Sequence, residues 1–379
     1  MKFVIAFDKF KGSLSATEAC EIVRRELLRV RPDARLVVKP MADGGEGTAE
    51  VLQTALGGEW IFKQVTGPLP TVRVTARYLW HPTERRAVIE MAQASGLVLI
   101  PPAQRNPLLT TTYGTGELLA DAIQRGSQQI WLTVGGSATT DGGIGAAAAL
   151  GWRFLDATGH PVQAVGGQLQ QIARIVPPTI ADSHSRVAVE VLCDVDNPLC
   201  GEHGAARVFG PQKGATLAMV EQLDAGLRHL AALVKTQLGK DILDLPGAGA
   251  AGGLAAGAVA FLNARLVPGI ETVIRTSRLA DELADADWVL TGEGRLDTQS
   301  LRGKVVSGVI ALAKRARVKV AVLAGSVELS EAEWRSAGIE IARAIAPAMM
   351  STAEAMKRAK ELLAAAVHEL FQARSQATQ

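Results

Sequence analysis

The chain has 379 residues, of which 48% are hydrophobic and 21% are charged, with a formal net charge of +2. This composition is typical of a globular protein of about two domains and argues against disorder. The low net charge and the 4% of aromatic residues argue against a dedicated nucleic-acid surface. Three cysteines without a C-x-x-C pair, and no long apolar run, predict a cytoplasmic protein with no disulfide framework and no membrane partner.

The first two predicted strands each end in a polar, glycine-bearing loop. Residues 2–7 and 35–39 have the apolar character of buried parallel strands, and MADGGEGT follows the second of them. Ligands of open parallel sheets bind outside the carboxyl ends of the strands, so Asp43 is a candidate Mg²⁺ ligand or proton acceptor. The alternative is a helix N-cap with Glu46 as its capping-box partner, and the spacing alone favours this cap.

The central part of the chain changes pattern and then presents a glycine loop. Short alternating segments between residues 59 and 100 predict antiparallel strands of an inserted domain. Residues 130–134 form a predicted buried strand, followed by GGSATTDGG and an alanine-rich helix. Unpaired N–H groups at a helix N-terminus suit a phosphate, although a tight strand-to-helix turn is the alternative. The candidate ligands in this loop are Gly135, Gly136, Ser137 and Asp141.

Two further polar loops follow in the inserted region. The predicted strand at residues 187–193 delivers Asp194 and Asp196 at its end, and hard carboxylate oxygens of this kind bind Mg²⁺. A turn rich in Asp, Asn and Pro is the alternative, and Asp194 is favoured over Asp196 because it stands directly at the strand end. Lys213, in the loop FGPQKGA, is suited to contact an anionic group.

A third glycine-rich segment matches a dinucleotide-binding pattern. Gly247, Gly249 and Gly252 have the G-x-G-x-x-G spacing, with Glu271 about 20 residues further on. The preceding strand would be short and is followed at once by a proline, so the context for a nicotinamide cofactor is poor. A glycine helix packed closely on its neighbours, or a backbone site for another phosphate ligand, fits the segment better.

The C-terminal part returns to the alternation of strand, glycine turn and helix. Predicted strands at residues 287–290, 319–323 and 339–345 precede a long amphipathic helix. The first of these strands ends in the loop TGEGRLD, whose candidate residues are Gly292, Glu293, Arg295 and Asp297. We therefore predict one α/β domain with a parallel sheet from both chain ends (residues 1–60 and 285–379) and an inserted, mixed α/β domain (residues 61–284).

Nine motifs occur in a fixed order over nearly the whole chain, and together they resemble those of the bacterial glycerate kinases. They are AFDKFKGSLSA, MADGGEGT, VTGPL, YGTGELL, GGSATTDGG, CDVDNPLCG, FGPQKGA, PGAGAAGGL and TGEGRLD. The resemblance implies two dissimilar α/β domains, one Rossmann- or flavodoxin-like, with the active site in the cleft between them. It also implies transfer of the γ-phosphate of ATP to D-glycerate, with Mg²⁺ as cofactor and 2-phosphoglycerate as product.

The resemblance and the residues together give a set of expected roles. Asp43 and Asp194 are the candidates for metal ligand or general base, and Lys11 and Lys213 are expected to neutralise phosphate or the glycerate carboxylate. The other predicted binding residues are Gly44, Gly45, Gly135, Gly136, Ser137, Asp141, Gly292, Glu293, Arg295 and Asp297. A 3-phosphoglycerate product, a nicotinamide-dependent oxidoreductase and a non-catalytic sensor are the alternatives. The terminal amphipathic helix can pack on its own domain or on another subunit, so a homo-oligomer is a further alternative.

Three positions depart from the usual motifs of that family. Phe7 and Lys9 stand where a proline and a serine are usual, and Thr140 stands where an asparagine is usual. Thr140 keeps a hydroxyl for hydrogen bonding, so we expect function to survive. Lys9 adds a positive charge beside the predicted site and is expected to alter substrate affinity.

Overall fold

A computed structural model describes residues 1–179, 187–301 and 303–376, which form two compact units. Unit 1 contains Met1–Asp43, Glu50–Leu56 and Ile270–Gln379, and unit 2 contains Gly44–Ala49 and Gly57–Gly269. The boundaries of the predicted domains differ from those of these units. The chain returns to unit 1 at residue 270 instead of 285, because two helices precede the next strand of that unit.

The strands and helices of the described residues are numbered in chain order. The strands are β1 (Lys2–Ile5), β2 (Arg35–Val38), β3 (Glu59–Thr66), β4 (Arg73–His81), β5 (Arg86–Glu90), β6 (Gln129–Thr133), β7 (Arg153–Leu155), β8 (Arg174–Val176), β9 (Ala188–Leu192), β10 (Arg265–Val267), β11 (Trp288–Thr291), β12 (Arg295–Leu296), β13 (Lys319–Ala324), β14 (Ser326–Val327) and β15 (Ile341–Ala344). The helices are α1 (Ala16–Val30), α2 (Thr48–Leu56), α3 (Ala92–Ser95), α4 (Tyr113–Gln124), α5 (Ile144–Ala149), α6 (Ala205–Phe209), α7 (Leu217–Leu238), α8 (Ala250–Leu262), α9 (Gly269–Ser277), α10 (Leu279–Leu283), α11 (Val305–Ala316), α12 (Glu331–Ser336), α13 (Thr352–Lys357) and α14 (Ala359–Gln376).

Unit 1 is built on a parallel sheet of five strands among its described residues, in the order β15-β13-β11-β1-β2. The predicted parallel sheet from both chain ends is therefore confirmed. Numbered within the unit, this order is 2-1-3-4-5, the arrangement of flavodoxin-like folds. The strand order reverses between β1 and β11, which pair from Phe3–Trp288 to Ile5–Leu290. In such sheets the ligand site lies at this reversal, outside the carboxyl ends of the two strands.

The core of unit 1 places β1 beneath the helices α1 and α14. All four residues of β1 are buried, and the ring of Phe3 meets that of Phe371 edge-on, with 5.5 Å between centroids. The helix α1 begins after Ser15, whose side chain accepts a hydrogen bond from the Glu18 N–H, and Glu18 accepts one from the Ser15 N–H. This capping box is the one that the S-x-x-E pattern predicts, and such a cap contributes about 1 kcal/mol.

Unit 2 contains a mixed sheet of six described strands in the order β10-β9-β6-β5-β4-β3. β3, β4 and β5 are antiparallel neighbours, which confirms the predicted change of pattern after residue 59. β5, β6, β9 and β10 are parallel, and the register aligns Glu90 with Thr133 and Thr133 with Leu192. The loops that follow these three strand ends therefore leave the sheet at the same edge.

Two local predictions differ from the structure. The helix α2 begins at Thr48, five residues beyond Asp43, so the interpretation of Asp43 as a helix N-cap is wrong. Among the described residues the element before Gly247 is the helix α7 and not a strand, and Gly252 and Gly253 have φ values of +66° and +88°. A Cβ on Gly252 would stand 2.0 Å from the Thr139 carbonyl oxygen, so this segment is a closely packed glycine turn. The context of a dinucleotide fingerprint is absent from this described part of the chain.

None of the described helices is both long enough and apolar enough to cross a membrane.

Candidate active site

The reversal point of the unit 1 sheet is fixed by bonds between the two strand ends. The N–H of Asp8 donates to the Gly292 carbonyl oxygen at 3.0 Å, and the Thr291 hydroxyl donates to the Ala6 carbonyl oxygen at 2.6 Å. A Cβ on Gly292 would stand 1.8 Å from the Leu323 carbonyl oxygen. Glycine is therefore required at this position by a close backbone approach, and the TGEG loop is held against β13.

Two carboxylates and a lysine meet at this point. Asp8 is 7% exposed and accepts a hydrogen bond from the Lys9 N–H at 2.7 Å. The Lys9 ammonium lies 3.4 Å from Asp43 Oδ1 and 3.8 Å from Asp8 Oδ1. Lys9, one of the three departures from the family pattern, thus places its charge between these carboxylates. The expected effect of Lys9 on substrate affinity stays a prediction.

Burial weakens the acidity of two carboxyl groups at this point, those of Asp8 and Glu293. Desolvation raises the pKa of Asp8 to about 7, against the opposing effect of Lys9, and the charges of Asp43 and Glu293 add to the rise. Burial also raises the pKa of Glu293, whose Oε1 has no hydrogen-bond partner among the described residues. The structure therefore brings Asp43 and Glu293 together with Asp8, and leaves an unsatisfied acceptor among them.

The other predicted residues of unit 1 have different surroundings. Lys11 is exposed, and its backbone nitrogen lies 3.6 Å from where a Cβ of Gly294 would be. Arg295 is exposed and pairs with Glu328 at 3.3 Å. Asp297 accepts hydrogen bonds from the Gln299 and Ser300 N–H groups at 2.8 and 3.0 Å, so its carboxylate closes a local turn. Arg295 and Asp297 thus have structural partners, and the charge of Asp297 also adds to the rise in the pKa of Glu293.

In unit 2, the GGEGT segment lies directly on the GGS loop. A Cβ on Gly135 would stand 2.6 Å from the Gly45 Cα, and one on Gly44 would stand 3.0 Å from the Leu192 carbonyl oxygen. Real Cβ atoms do not approach backbone atoms so closely, so a side chain at Gly135 would push the two loops apart. The predicted residues Gly44, Gly45 and Gly135 are thus brought together at the carboxyl ends of β6 and β9.

The GGS loop carries successive backbone donors that are free. The N–H groups of Gly135, Gly136 and Ser137 have no acceptor within residues 1–179, 187–301 and 303–376. The Gly136 carbonyl oxygen, in contrast, accepts from the Leu97 N–H at 2.8 Å, which fixes the loop. Gly136 has a φ of +73°, in the left-handed region that glycine adopts without strain. Consecutive free N–H groups of this kind bind anionic oxygens.

The N-terminus of α5 is not the anion site that the sequence suggests. The Asp141 carboxylate is fully buried and accepts from the N–H groups of Gly143 and Gly145 at 3.1 and 3.3 Å. It also accepts from the Thr112 N–H and hydroxyl at 2.7 and 2.8 Å. The protein's own carboxylate therefore fills this helix terminus. Asp141 therefore holds the loop in this structure, and its predicted role in binding stays a prediction.

Lys213 also points inward. It is 1% exposed, and its ammonium donates a hydrogen bond to the Thr139 carbonyl oxygen at 2.6 Å. Burial lowers the pKa of Lys213 to about 7, while the charge of Asp141 acts to raise it. Lys213 therefore supports the loop in this structure, and its predicted role in neutralising a phosphate or carboxylate stays a prediction.

Asp194 follows β9 as predicted and is partly exposed. Its Oδ1 accepts a hydrogen bond from the Gly269 N–H at 2.9 Å. Of the described residues, no three His, Cys, Asp or Glu side chains are grouped so as to hold a metal ion. Mg²⁺ in phosphoryl-transfer sites takes one or two protein carboxylates and completes its shell with phosphate oxygens and water. Single carboxylates such as Asp194 and Asp43 are of the chemical kind that this ion uses.

Sequence reasoning missed three carboxylates that the structure places in these sites. Asp8 directly follows the strand predicted at residues 2–7, as Asp194 follows the one predicted at residues 187–193. Glu90 ends β5, is 6% exposed and accepts from the Ala49 N–H at 2.9 Å. The sequence pattern presents Glu46 as a capping partner, whereas the structure places its side chain against Gly136. For Asp8 and Glu90 the usable signal was their position at a strand end.

Comparisons with known proteins all indicate one family. The model of the glycerate kinase family matches residues 3–375. A glycerate kinase of Halalkalibacterium halodurans is 47% identical over 367 residues, 97% of this chain and 96% of that protein. A glycerate 2-kinase of Escherichia coli is 45% identical over 331 residues, 86% of each chain. The crystal structure of an inferred glycerate kinase 2 from Salmonella typhimurium shares 43% identity, with a TM-score of 0.85 over 100% of this chain and 99% of that one.

Proposed function

The chain belongs to the glycerate kinase family and is a kinase, and we propose that it transfers the γ-phosphoryl group of ATP to D-glycerate. We propose 2-phosphoglycerate as the product, because the Escherichia coli relative is named a glycerate 2-kinase. A 3-phosphoglycerate product is the alternative. ATP and D-glycerate are then the small-molecule partners of the protein.

The observation that carries this proposal is the row of free donors at Gly135, Gly136 and Ser137. Both substrates are anions, and a kinase must hold them with donors that need no reorganisation during the reaction. No Walker A motif is present in the sequence, so loop N–H groups and lysines must supply the electrostatic stabilisation. Lys11, which is exposed beside Gly294 in unit 1, is the lysine that we propose for a phosphate or carboxylate.

Mg²⁺ is the cofactor that we propose, and the carboxylates fit it chemically. The unpaired Oε1 of Glu293 and the neighbouring Asp43 and Asp8 provide hard oxygen donors in unit 1, and Asp194 provides one in unit 2. Of these, Asp43 and Asp194 are the residues that we propose as candidate ligands of Mg²⁺, each considered within its own unit. When bound, Mg²⁺ neutralises phosphate charge. Lys9 already balances part of the charge on Asp43.

The test is an assay of ADP release with D-glycerate and MgATP, with phosphorus NMR of the product. We expect ADP release that requires D-glycerate, and a phosphorus coupled to the C2 proton. Coupling to the C3 protons would instead establish the 3-kinase. No turnover with D-glycerate, together with reduction of an oxidised nicotinamide cofactor by a hydroxy acid, would overturn the proposal. Binding of ATP or D-glycerate without any turnover would favour the non-catalytic sensor.

A further inference from the structure

The carboxylate of Glu46 lies over the α-carbon of Gly136 in unit 2. A Cβ built on Gly136 would stand 2.5 Å from Glu46 Oε1 and 2.7 Å from its Cδ. Glu46 is partly exposed, and its carboxylate makes no hydrogen bond or ion pair with the described residues of the chain. An acceptor group is therefore held beside the free N–H groups of Gly135, Gly136 and Ser137, with no protein donor of its own.

The position of Glu46 is set by its neighbours along the chain. Glu90 accepts a hydrogen bond from the Ala49 N–H at 2.9 Å, which fixes the first turn of α2 to the end of β5. The Thr48 hydroxyl donates to the Gly45 carbonyl oxygen at 2.7 Å and closes the turn that carries Glu46. The side chain of Glu46 is thus presented by a segment that is anchored on both sides.

This combination of groups selects a hydroxy acid over a phosphate. At the same distance the Glu46 carboxylate repels a multiply charged phosphate more strongly than a singly charged carboxylate, so it disfavours a phosphate at the GGS loop. A hydroxy acid instead offers one carboxylate for the N–H donors of Gly135, Gly136 and Ser137. It also offers a hydroxyl proton, which is the donor that Glu46 lacks.

We propose that Glu46, together with the N–H groups of Gly135, Gly136 and Ser137, forms the D-glycerate subsite, and that Glu46 is a catalytic residue that accepts the proton of the reacting hydroxyl. This inference rests on the proposed function. In the step, the hydroxyl oxygen forms a bond to the γ-phosphorus, and the bond from that phosphorus to the β–γ bridging oxygen breaks. ADP leaves with the electron pair of the broken bond, and the hydroxyl proton moves to Glu46.

The first experiment replaces Glu46 by Gln in the full-length enzyme. Glutamine keeps an oxygen that accepts a hydrogen bond but cannot take the proton. We expect kcat to fall by about 10²- to 10⁴-fold, with KM for D-glycerate changed by less than about 10-fold. The matched control is Glu50→Gln, four residues further along the same segment, which should keep kcat within about 2-fold. Glu46→Asp keeps a carboxylate that can take the proton, so its kcat should be at least about 10-fold higher than that of Glu46→Gln.

The second experiment measures binding without catalysis. In calorimetry without ATP, wild-type enzyme should bind D-glycerate at least about 10-fold more tightly than propionate, which has the carboxylate but no hydroxyl. Glu46→Ala should abolish this preference while still binding both acids. A kcat for Glu46→Gln within about 3-fold of wild type, or an unchanged preference in Glu46→Ala, overturns the inference. If wild type fails to phosphorylate D-glycerate at all, the proposed function itself fails, which the wild-type assay alone reveals.

Discussion

The ammonium nitrogen of Lys213 donates a hydrogen bond to the carbonyl oxygen of Thr139 at 2.6 Å, in a position that is almost completely buried. This bond joins two motifs of the family, FGPQKGA and GGSATTDGG, that lie far apart in sequence. The same carbonyl oxygen is packed from another direction by Gly252. Lys213 therefore acts on the GGS loop by holding it, and its contribution is measurable as stability.

The pH dependence of stability should report the burial of Lys213. Its pKa is about 7 in the folded protein and has an ordinary value of 10.5, so between these pH values the unfolded state binds the additional proton. The free energy of unfolding of wild type relative to Lys213→Met should therefore rise from about pH 7 towards pH 10. Urea denaturation at several pH values measures this difference. Lys235→Met, at the exposed pair with Asp241, is the control and should show no such trend.

Asp8 should show the opposite trend at lower pH. Its folded pKa of about 7 lies above its ordinary value of 3.8, so the folded state binds more protons between these values. The stability of wild type relative to Asp8→Asn should therefore fall as the pH rises from about 4 to about 7. The variant is expected to be more stable at pH 7 and less active. Asp33→Asn, on an exposed loop, is the control, and a constant difference across this pH range would contradict the argument.

The substitution Gly136→Ala separates backbone strain from the displacement of Glu46. Both Gly136 and Gly159 have positive φ values, +73° and +88°, so alanine at either position should cost about 1–2 kcal/mol of stability. Only at Gly136 would the new Cβ meet the Glu46 carboxyl group, whereas nothing lies within 4 Å at Gly159. We expect similar melting temperatures for the two variants but a loss of kcat/KM for D-glycerate of at least about 10-fold in Gly136→Ala alone. Equal activity of the two would remove Glu46 from the site.

The substitution Asp194→Asn tests the proposed role of that residue as a ligand of Mg²⁺. The asparagine oxygen can still accept the hydrogen bond from the Gly269 N–H, so the fold should be preserved. Loss of the negative charge should lower kcat by about 10²-fold or more. The neighbouring Asp196→Asn, at a more exposed position, should stay within about 3-fold of wild type. Unchanged turnover in a folded Asp194→Asn variant would exclude the role.

The fold was predictable because buried parallel strands leave continuous apolar runs that glycine turns interrupt. The parallel sheet from both chain ends and the antiparallel strands after residue 59 were both confirmed. The point of return to unit 1 was less predictable, since α9 and α10 carry no composition that distinguishes the two units. Helix periodicity shows that an element is amphipathic but does not show which sheet it covers.

The loops of the site were predictable from the sequence, but the roles of the individual residues in them were not. Glycine spacing identified the GGS and GGEGT loops, yet it does not show which way a polar side chain points. Asp141 and Lys213 face inward, where buried hydrogen bonds use them, and only three-dimensional packing reveals this. Glu46 was concealed because its spacing from Asp43 also matches a capping box, whereas α2 begins later.

The internal capping of α5 by Asp141 has a consequence for inhibitor design. A carboxylate tethered to the loop is an intramolecular ligand, and short tethers give effective concentrations in the millimolar range or above. An anionic compound aimed at that helix terminus would have to displace Asp141 from the hydrogen bonds that it receives from Thr112, Gly143 and Gly145. Compounds that carry one carboxylate and a neighbouring hydrogen-bond donor, directed at the loop of Gly135 and Gly136, meet no such competitor.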